Sequence, residues 1–469
     1  MLSGSTSPRP TVLVIHALRP TSRQTTIDHL LSFREHLPQA DVQYLHFQQP
    51  IPPEIGEVSP DLLIVNYDYL NYRFSPLWPF IRTRHRDIAR RAGKVVAIAQ
   101  DDFWANKLLD DWCMDWDVDR ILTPIDTDRE VLYPRSIKHK EFRTGLTGYV
   151  RSGPVPDTRP LRDRPIDLGQ RVRDMPPHLG RLAQAKAHQA VAMADAARAA
   201  GFKVDVSTRV EDSFIGAAWF DFLASCRFTV GMKGGASLHD PRGLIHTKVQ
   251  SYRARHPHAS FDEIEAKCFS GKDMKHEFTA ISPRLFESAL AGTCQILQRD
   301  DYLGVLQPWR DYLPLEANLS NMVEVTEAMR DLERCQEIVM NARAALVESG
   351  VFDYARLVET ATDGLMGARG TGQSAWTALT EHLDVIERIF ATAGVELHDA
   401  VQYLVTENPT CSPDHADAVE AREILHALSR HGLVKDLGEI ILGYKSDSLS
   451  RRTPWIWRPL PGETSLTHG

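Results

Sequence analysis

The residues best suited to chemistry fall in one run, Ile281-Ser282-Pro283-Arg284-Leu285-Phe286-Glu287-Ser288-Ala289-Leu290-Ala291-Gly292-Thr293. Ser282 is a good N-cap and Pro283 suits the first helical position, so the spacing predicts a helix over 283–291. Gly292 stops it, and an apolar strand follows over 293–298. The start of such a helix, Ser282 to Arg284, offers unpaired N–H groups and a positive dipole end to an anion. Glu287, about one turn in, can accept hydrogen bonds from a vicinal diol. A capped structural helix with a surface glutamate has the same sequence, so both readings stand.

Other candidates sit at predicted strand ends. Gly234 and Gly235 follow a strand over 227–232 and allow a backbone to come close to a ligand, or simply a tight turn. Lys233 beside them is a phosphate or sugar contact, or an exposed lysine at a turn. Asp101 and Asp102 follow a strand over 94–100 and have the chemistry of a general base or a hydroxyl binder. His16 closes the first strand, with Arg19, Thr25 and Thr26 just after it; a lone histidine there is more often a structural hydrogen-bonder. Tyr67, Asp68 and Tyr69, after the third strand, can stack on and hydrogen-bond a sugar.

These positions depend on an alternating pattern of elements. Apolar runs over 11–17, 41–47, 61–66, 94–100, 120–125 and 143–149 read as short buried strands, with helices over 22–37 and 79–91 between them. The alternation restarts with strands over 166–168, 203–207 and 227–232 and a long helix over 181–200. Buried strands separated by amphipathic helices specify parallel, doubly wound α/β sheets. The proline-rich stretch between the two series reads as a linker. The organisation expected is a first Rossmann-like domain over 1–152, a linker over 153–165, a second over 166–345, and a helical extension with an extended tail over 346–469. The helices read over 322–345 and 375–393 and the tail from Ser446, with Arg451, Arg452, Trp455 and Trp457, have no assigned packing partner. Ligands in such sheets bind outside the carboxyl ends of the strands, so the crevice between the two domains is the expected site.

Composition narrows the class. The chain has 469 residues, 43% hydrophobic and 25% charged, which is the balance of a globular protein of two or three domains. Its net charge of −8 argues against a dedicated nucleic-acid binder. The first residues do not read as a signal peptide and the six cysteines form no CxxC pair, so buried thiols in the cytoplasm are expected.

The run from Phe286 to Thr293 resembles the EA-x-A-x-G-T segment of GT-B glycosyltransferases of the large retaining group. Asp301-Tyr302-Leu303-Gly304-Val305-Leu306, Asp311-Tyr312-Leu313-Pro314-Leu315, Asn318-Leu319-Ser320-Asn321 and Val230-Gly231-Met232-Lys233-Gly234-Gly235-Ala236-Ser237 resemble a bacterial branch of such enzymes. The resemblance implies two Rossmann-like domains, acceptor first and donor second, transferring a sugar from a nucleotide diphosphate sugar to a hydroxyl acceptor without a metal or other cofactor. The acceptor class is open: a glycan, a lipid-linked glycan or a small molecule, with membrane-surface contact allowed.

By the same resemblance Glu287 holds the donor ribose, and the first loop, after His16, lines the acceptor pocket. Thr279 stands where the group has a second glutamate, with Glu277 two residues away, which leaves the stereochemical outcome unassigned. Arg181 and Lys186 have the spacing of the group's phosphate clamp, but Arg171 and Arg173 directly follow the strand instead, so Arg171, Arg173, Arg181 and Lys186 compete. Asp115-Trp116-Asp117 and Asp117-Val118-Asp119 imitate a metal-binding DxD motif, yet an acidic loop explains them equally. No metal-spaced His/Cys cluster, Gly-x-Gly-x-x-Gly, P-loop or Gly-x-Ser-x-Gly is present. The rivals are a nucleotide-sugar epimerase or hydrolase on this fold, and a GT-B-like scaffold without turnover.

Overall fold

Runs such as Val12–Ile15, Leu62–Val65 and Val95–Ile98 are buried along their whole length, so both faces of their sheet must be covered. The computed structural model describes residues 9–18, 24–47, 51, 53–75, 78–151, 158–214, 217–367 and 373–392, and shows how this is done. Six parallel strands, β1 (Thr11–His16), β2 (Asp41–His46), β3 (Leu62–Val65), β4 (Lys94–Ile98), β5 (Arg120–Thr123) and β6 (Glu141–Thr144), form a sheet of order β2-β1-β3-β4-β5-β6. β7 (Ile166–Arg171), β8 (Val204–Ser207), β9 (Cys226–Gly231), β12 (Cys294–Gln298) and β13 (Leu313–Leu315) form a second parallel sheet of order β13-β12-β9-β7-β8. β10 (Gly234–Ala236) and β11 (Phe278–Ala280) make a small antiparallel ribbon. Two doubly wound Rossmann-like domains are therefore present, the GT-B arrangement.

The carboxyl edges of the two sheets face each other. On the first domain the contacts come from loops after β4, β5 and β6. The Ala105 N–H donates to the Asp240 carbonyl at 3.0 Å, and the Lys107 N–H to the Pro241 carbonyl at 3.0 Å. The Thr147 hydroxyl donates to the Ile281 carbonyl at 2.5 Å, and Asp128 meets His276 at 2.9 Å. Trp104 packs against His178 and His246, with ring centroids 4.9 and 4.7 Å away.

Four expectations need correcting. β6 ends at Thr144, because the following residues leave the sheet to meet the second domain through Thr147. The helix expected over 79–91 is two, Trp78–Ile81 and Arg86–Arg91; side chains take the carbonyls between them, Tyr69 donating to Ile81 and Trp116 to Arg82. The helix expected over 322–345 breaks where Asp331 caps Arg334, 3.0 Å away. The end of the supposed linker is anchored: the buried Arg164 guanidinium donates to the carbonyls of Arg159, Cys226 and Ala291 and to the Thr293 hydroxyl. Neutral acceptors cannot fully repay burial, which pulls its pKa down to about 10.

The extension turns back onto the first domain. Tyr354, Leu357, Val358 and Ala361 of the helix Tyr354–Thr362 join the core around Val12, Leu30 and Phe33. Trp376, Leu379 and Leu383 of the helix Gln373–Thr392 join its other core, and the Trp376 indole donates to Asp41 at 2.8 Å. The tail from Ser446 lies outside the described residues.

Candidate functional site

In the second sheet the chain runs from β7 to β8 on one side and then to β9 on the other, so the crossover crevice lies between the ends of β7 and β9. That is where doubly wound sheets hold ligands. Gln170, the last but one residue of β7, donates from its side-chain amide to the Val230 carbonyl of β9 and closes the floor. Above it is a pocket of about 410 Å³ of open space, mouth included, whose lining includes Gln170, Lys186, Trp219, Ser282, Arg284 and Ser288.

The helix Arg284–Leu290 brings Arg284 into the lining of this pocket from one side, with Glu287 beside it against Trp219. Arg284 reaches the Gln170 side-chain oxygen at 3.5 Å and lies over the Trp219 ring, 5.4 Å from its centroid. The Trp219 indole N–H donates to Glu287 at 2.8 Å. Ser282 begins the first turn through its carbonyl, which accepts from the Leu285 N–H at 3.0 Å. Gly292 ends the helix at φ 64°, as its position predicts.

From the other side the 19-residue helix Arg181–Ala199 packs an alanine stripe, Ala183, Ala187, Ala190, Ala194 and Ala197, at spacings of four and three. One turn into it, Lys186 places its amine 3.9 Å from where a Cβ on Gly234 would stand. Gly235 has a different reason for being glycine. At φ +154° a Cβ there would fall 1.9 Å from the Phe278 carbonyl oxygen, so the close pairing of β10 with β11 demands it. The pairing sets Thr279 opposite Gly235. Lys233 pairs with Asp300 at 2.9 Å at the rim.

The four competing basic residues separate clearly. Arg171 turns away, pairing with Asp205 at 2.8 Å and stacking on Phe222 at 4.3 Å. Arg173 is exposed on the loop after β7. Arg181 is neutralised by Asp262 and Glu265, and its N–H is capped by Asp273 at 2.8 Å, so the chain's own carboxylates fill that helix start. Lys186 alone of the four lines the pocket.

On the first domain the acceptor-side candidates behave differently. Asp102 is fully buried, its carboxylate accepting from the Thr123 and Tyr133 hydroxyls, the latter at 2.7 Å; it braces the domain and does not reach the cleft. Asp101 is exposed at φ 53°, and its carbonyl accepts from Arg73 at 2.7 Å. His16 is buried at the end of β1, where its Nδ1 accepts from the Leu18 N–H at 3.2 Å. Burial, with His46 second, holds its pKa well below the usual histidine value, so it is a neutral turn-holder. Arg19 lies outside the described residues. The DxD look-alikes are ion-paired: Asp115 with Arg82 and Arg86, Asp117 with Lys140, and Asp119 with Lys94.

Sequence reasoning missed Trp219 and Gln170. Nothing local marks Trp219, which belongs to a separate helix, Ala217–Ser225. Gln170 did carry a signal, a polar side chain in a buried strand.

No family model matches the chain, and no curated protein matches its sequence. Among solved structures it is similar to Anabaena HepE in complex with UDP-glucose, with a TM-score of 0.38 and 11% identity, covering 79% of this chain and 99% of that one. It is also similar to the sucrose-phosphate synthase of Thermosynechococcus elongatus, with a TM-score of 0.36 and 12% identity over 80% and 100% of the two chains. A TarM mutant from S. aureus, in complex with fondaparinux, alpha-GlcNAc-glycerol and UDP, gives a TM-score of 0.40 and 9% identity over 66% and 56%. Identities this low assign no residue of this chain by correspondence.

Among the described residues, no helix is long and apolar enough to cross a membrane.

Proposed function

We propose that the chain transfers a sugar from a nucleotide diphosphate sugar to a hydroxyl acceptor. The observation that carries this is the pocket at the β7/β9 crossover, where two cations, Lys186 and Arg284, line one cavity with Glu287 and Trp219 beside it. Leaving diphosphate gathers negative charge in the transition state, and preorganised cations in a partly closed site stabilise it. Glu287 is a hydrogen-bond acceptor for the ribose hydroxyls, already oriented by the Trp219 indole. Gly234 leaves room beside Lys186 for the phosphates or the sugar.

The acceptor enters from the facing edge of the first domain, so the hydroxyl and the sugar meet between the sheets, where water is scarce. Charge stabilisation by Lys186 and Arg284 lets the transfer run without a divalent metal, so turnover is expected to persist in EDTA. The described cysteines, Cys113, Cys226, Cys268, Cys294 and Cys335, are buried free thiols, which suits a reducing cytoplasm.

The test is a thermal-shift comparison against UDP-, GDP-, ADP- and dTDP-sugars, with UDP-glucose, which the HepE structure holds, tried first. A donor at about 100-fold its dissociation constant stabilises by roughly 2.7 kcal/mol. A shift with one nucleotide class that Glu287→Ala abolishes supports the reading; no shift with any of them transfers the weight to a non-catalytic scaffold.

A further inference from the structure

The first sheet has a crossover point of its own, between the carboxyl ends of β1 and β3, because its order places β2 and β3 on opposite sides of β1. That crevice is filled by the chain itself. The Asn66 amide and the Tyr69 N–H both donate to Asp68 Oδ1 at 2.9 Å, and Oδ2 is sealed from solvent. Burial raises the Asp68 carboxyl to about 6 and pulls His29, on the helix Gln24–His36, to about 3. Tyr67 and Tyr69 are buried beside them. The first domain touches the rim of the donor pocket elsewhere, through the loop over 145–150 that follows β6.

This loop is pinned on the first domain's side. The Gln100 amide, just past β4, donates to the Thr147 carbonyl at 3.4 Å, and the Leu146 N–H donates to the Tyr149 hydroxyl at 2.9 Å. The Val150 N–H donates to the Phe352 carbonyl at 2.8 Å, and the Tyr354 N–H returns to the Val150 carbonyl at 3.0 Å. On its other side the loop presses on the segment that opens the helix Arg284–Leu290. The Thr147 hydroxyl donates to the Ile281 carbonyl at 2.5 Å, and Val150 joins the core of Ile281, Leu285 and Phe286. Gly148 lies so close that a Cβ there would stand 2.9 Å from the Pro283 Cβ and 3.2 Å from its Cα. Its φ is not in the left-handed region, so the contact alone, and not backbone strain, asks for glycine.

We propose that Thr147 and Gly148 are positioning residues for donor binding, through which the first domain sets the start of the helix Arg284–Leu290 and aims Arg284 into the pocket. The inference rests on the glycosyl-transfer reading above. Every residue lining the pocket belongs to the second domain, yet Ile281, Ser282, Arg284 and Leu285 come from the segment that Thr147 and Gly148 hold. Arg284 follows Pro283 directly, and a proline ring cannot rotate away from a neighbour as a flexible side chain can. Any shift of the Ile281–Pro283 backbone is therefore passed to the guanidinium. A charge-stabilising group displaced by an ångström can cost on the order of 100-fold in rate, so a support of this kind matters to the reaction without touching the donor.

The experiment uses the full chain with Thr147→Val, Thr147→Ser, Gly148→Ala and, as an interface control, Asp128→Gly. Asp128 meets His276 across the same interface at φ 51°, where glycine fits without strain. Affinity for UDP, GDP, ADP and dTDP is measured by calorimetry, with thermal stability of each ligand-free variant alongside. Thr147→Val is expected to weaken the nucleotide that the parent binds by about 3–10-fold, the worth of one hydrogen bond. Thr147→Ser keeps the hydroxyl and should stay within about 2-fold of the parent. Gly148→Ala should lose ~10-fold or more, since overpacking moves backbone. Asp128→Gly should lose stability and keep its affinity. Parental affinity in Thr147→Val, a loss in Thr147→Ser equal to that in Thr147→Val, or an equal loss in Asp128→Gly overturns the proposal. The Thr147 pair decides the matter should Gly148→Ala fail to fold. Absence of nucleotide binding in the parent overturns the donor reading as well, whereas binding that Thr147→Val leaves intact overturns this inference alone.

Discussion

The two crossover points obey one topological rule and are filled in opposite ways. In the second domain the crevice between β7 and β9 is floored by Gln170 and lined by Lys186 and Arg284, so it is cationic. In the first, the crevice between β1 and β3 is closed in by buried neutral histidines and holds one desolvated carboxylate, Asp68. The comparison teaches that the topology chooses where a site lies, while a few side chains at the strand ends choose its charge.

The sharpest way to break the comparison is to remove a carboxylate from the wrong place. Asp102→Ala leaves the buried hydroxyls of Thr123 and Tyr133 without their acceptor and is expected to destabilise the protein by about 2–5 kcal/mol. Nucleotide affinity should be unchanged; urea unfolding alongside a nucleotide titration checks both. Next in size, Lys186→Ala should weaken nucleotide binding about 10–100-fold by calorimetry, since a hydrogen bond to a charged group contributes about 1.5–3 kcal/mol. Stability without ligand should stay put. Arg181→Ala, whose partners are Asp262 and Glu265, should weaken binding far less, and an equal loss in both would undo the assignment of Lys186.

A third effect has a sign set by linkage. Asp68 titrates at about 6 in the folded chain against an ordinary value near 3.8, so the folded state holds its proton longer. Its favourable contribution is complete below about pH 3.8 and is lost as pH rises through about 6. Asp68→Asn is therefore expected to stabilise by about 1–3 kcal/mol above pH 6, after allowance for partial exposure, and to do nothing near pH 3.5. Stability curves at both pH values read this directly. Smallest of all, Asp101→Asn keeps a residue type that tolerates the left-handed backbone at φ 53°, and should change stability by less than about 0.5 kcal/mol in the same unfolding measurements.

Much of this was legible in the sequence. The apolar runs gave the strands of both sheets to within a few residues except β13, whose three residues are too few to stand out, because a strand buried on both faces needs no contact information to recognise. Glu287 and Arg284 were placed by spacing on one short helix that Gly292 stops, although its N-cap is Pro283 and Ser282 gives no side-chain cap. The choice among Arg171, Arg173, Arg181 and Lys186 was not legible, since it turned on Asp205, Asp262, Glu265 and Asp273, acids distant in sequence that neutralise or cap two of the four. Asp101 and Asp102 looked alike as neighbours at a strand end, yet one is exposed and the other sealed against Thr123 and Tyr133.

By itself, then, the sequence determined the two α/β series, the helix that carries Glu287 and the general place of the cleft, because these follow from local periodicity and turn chemistry. Tertiary structure decided which charges line the pocket, why Gly235 must be glycine, that Trp219 meets Glu287, and that the extension returns to the first domain. The physical reason is that charge and desolvation depend on partners brought in from anywhere along the chain, whereas periodicity depends only on neighbours.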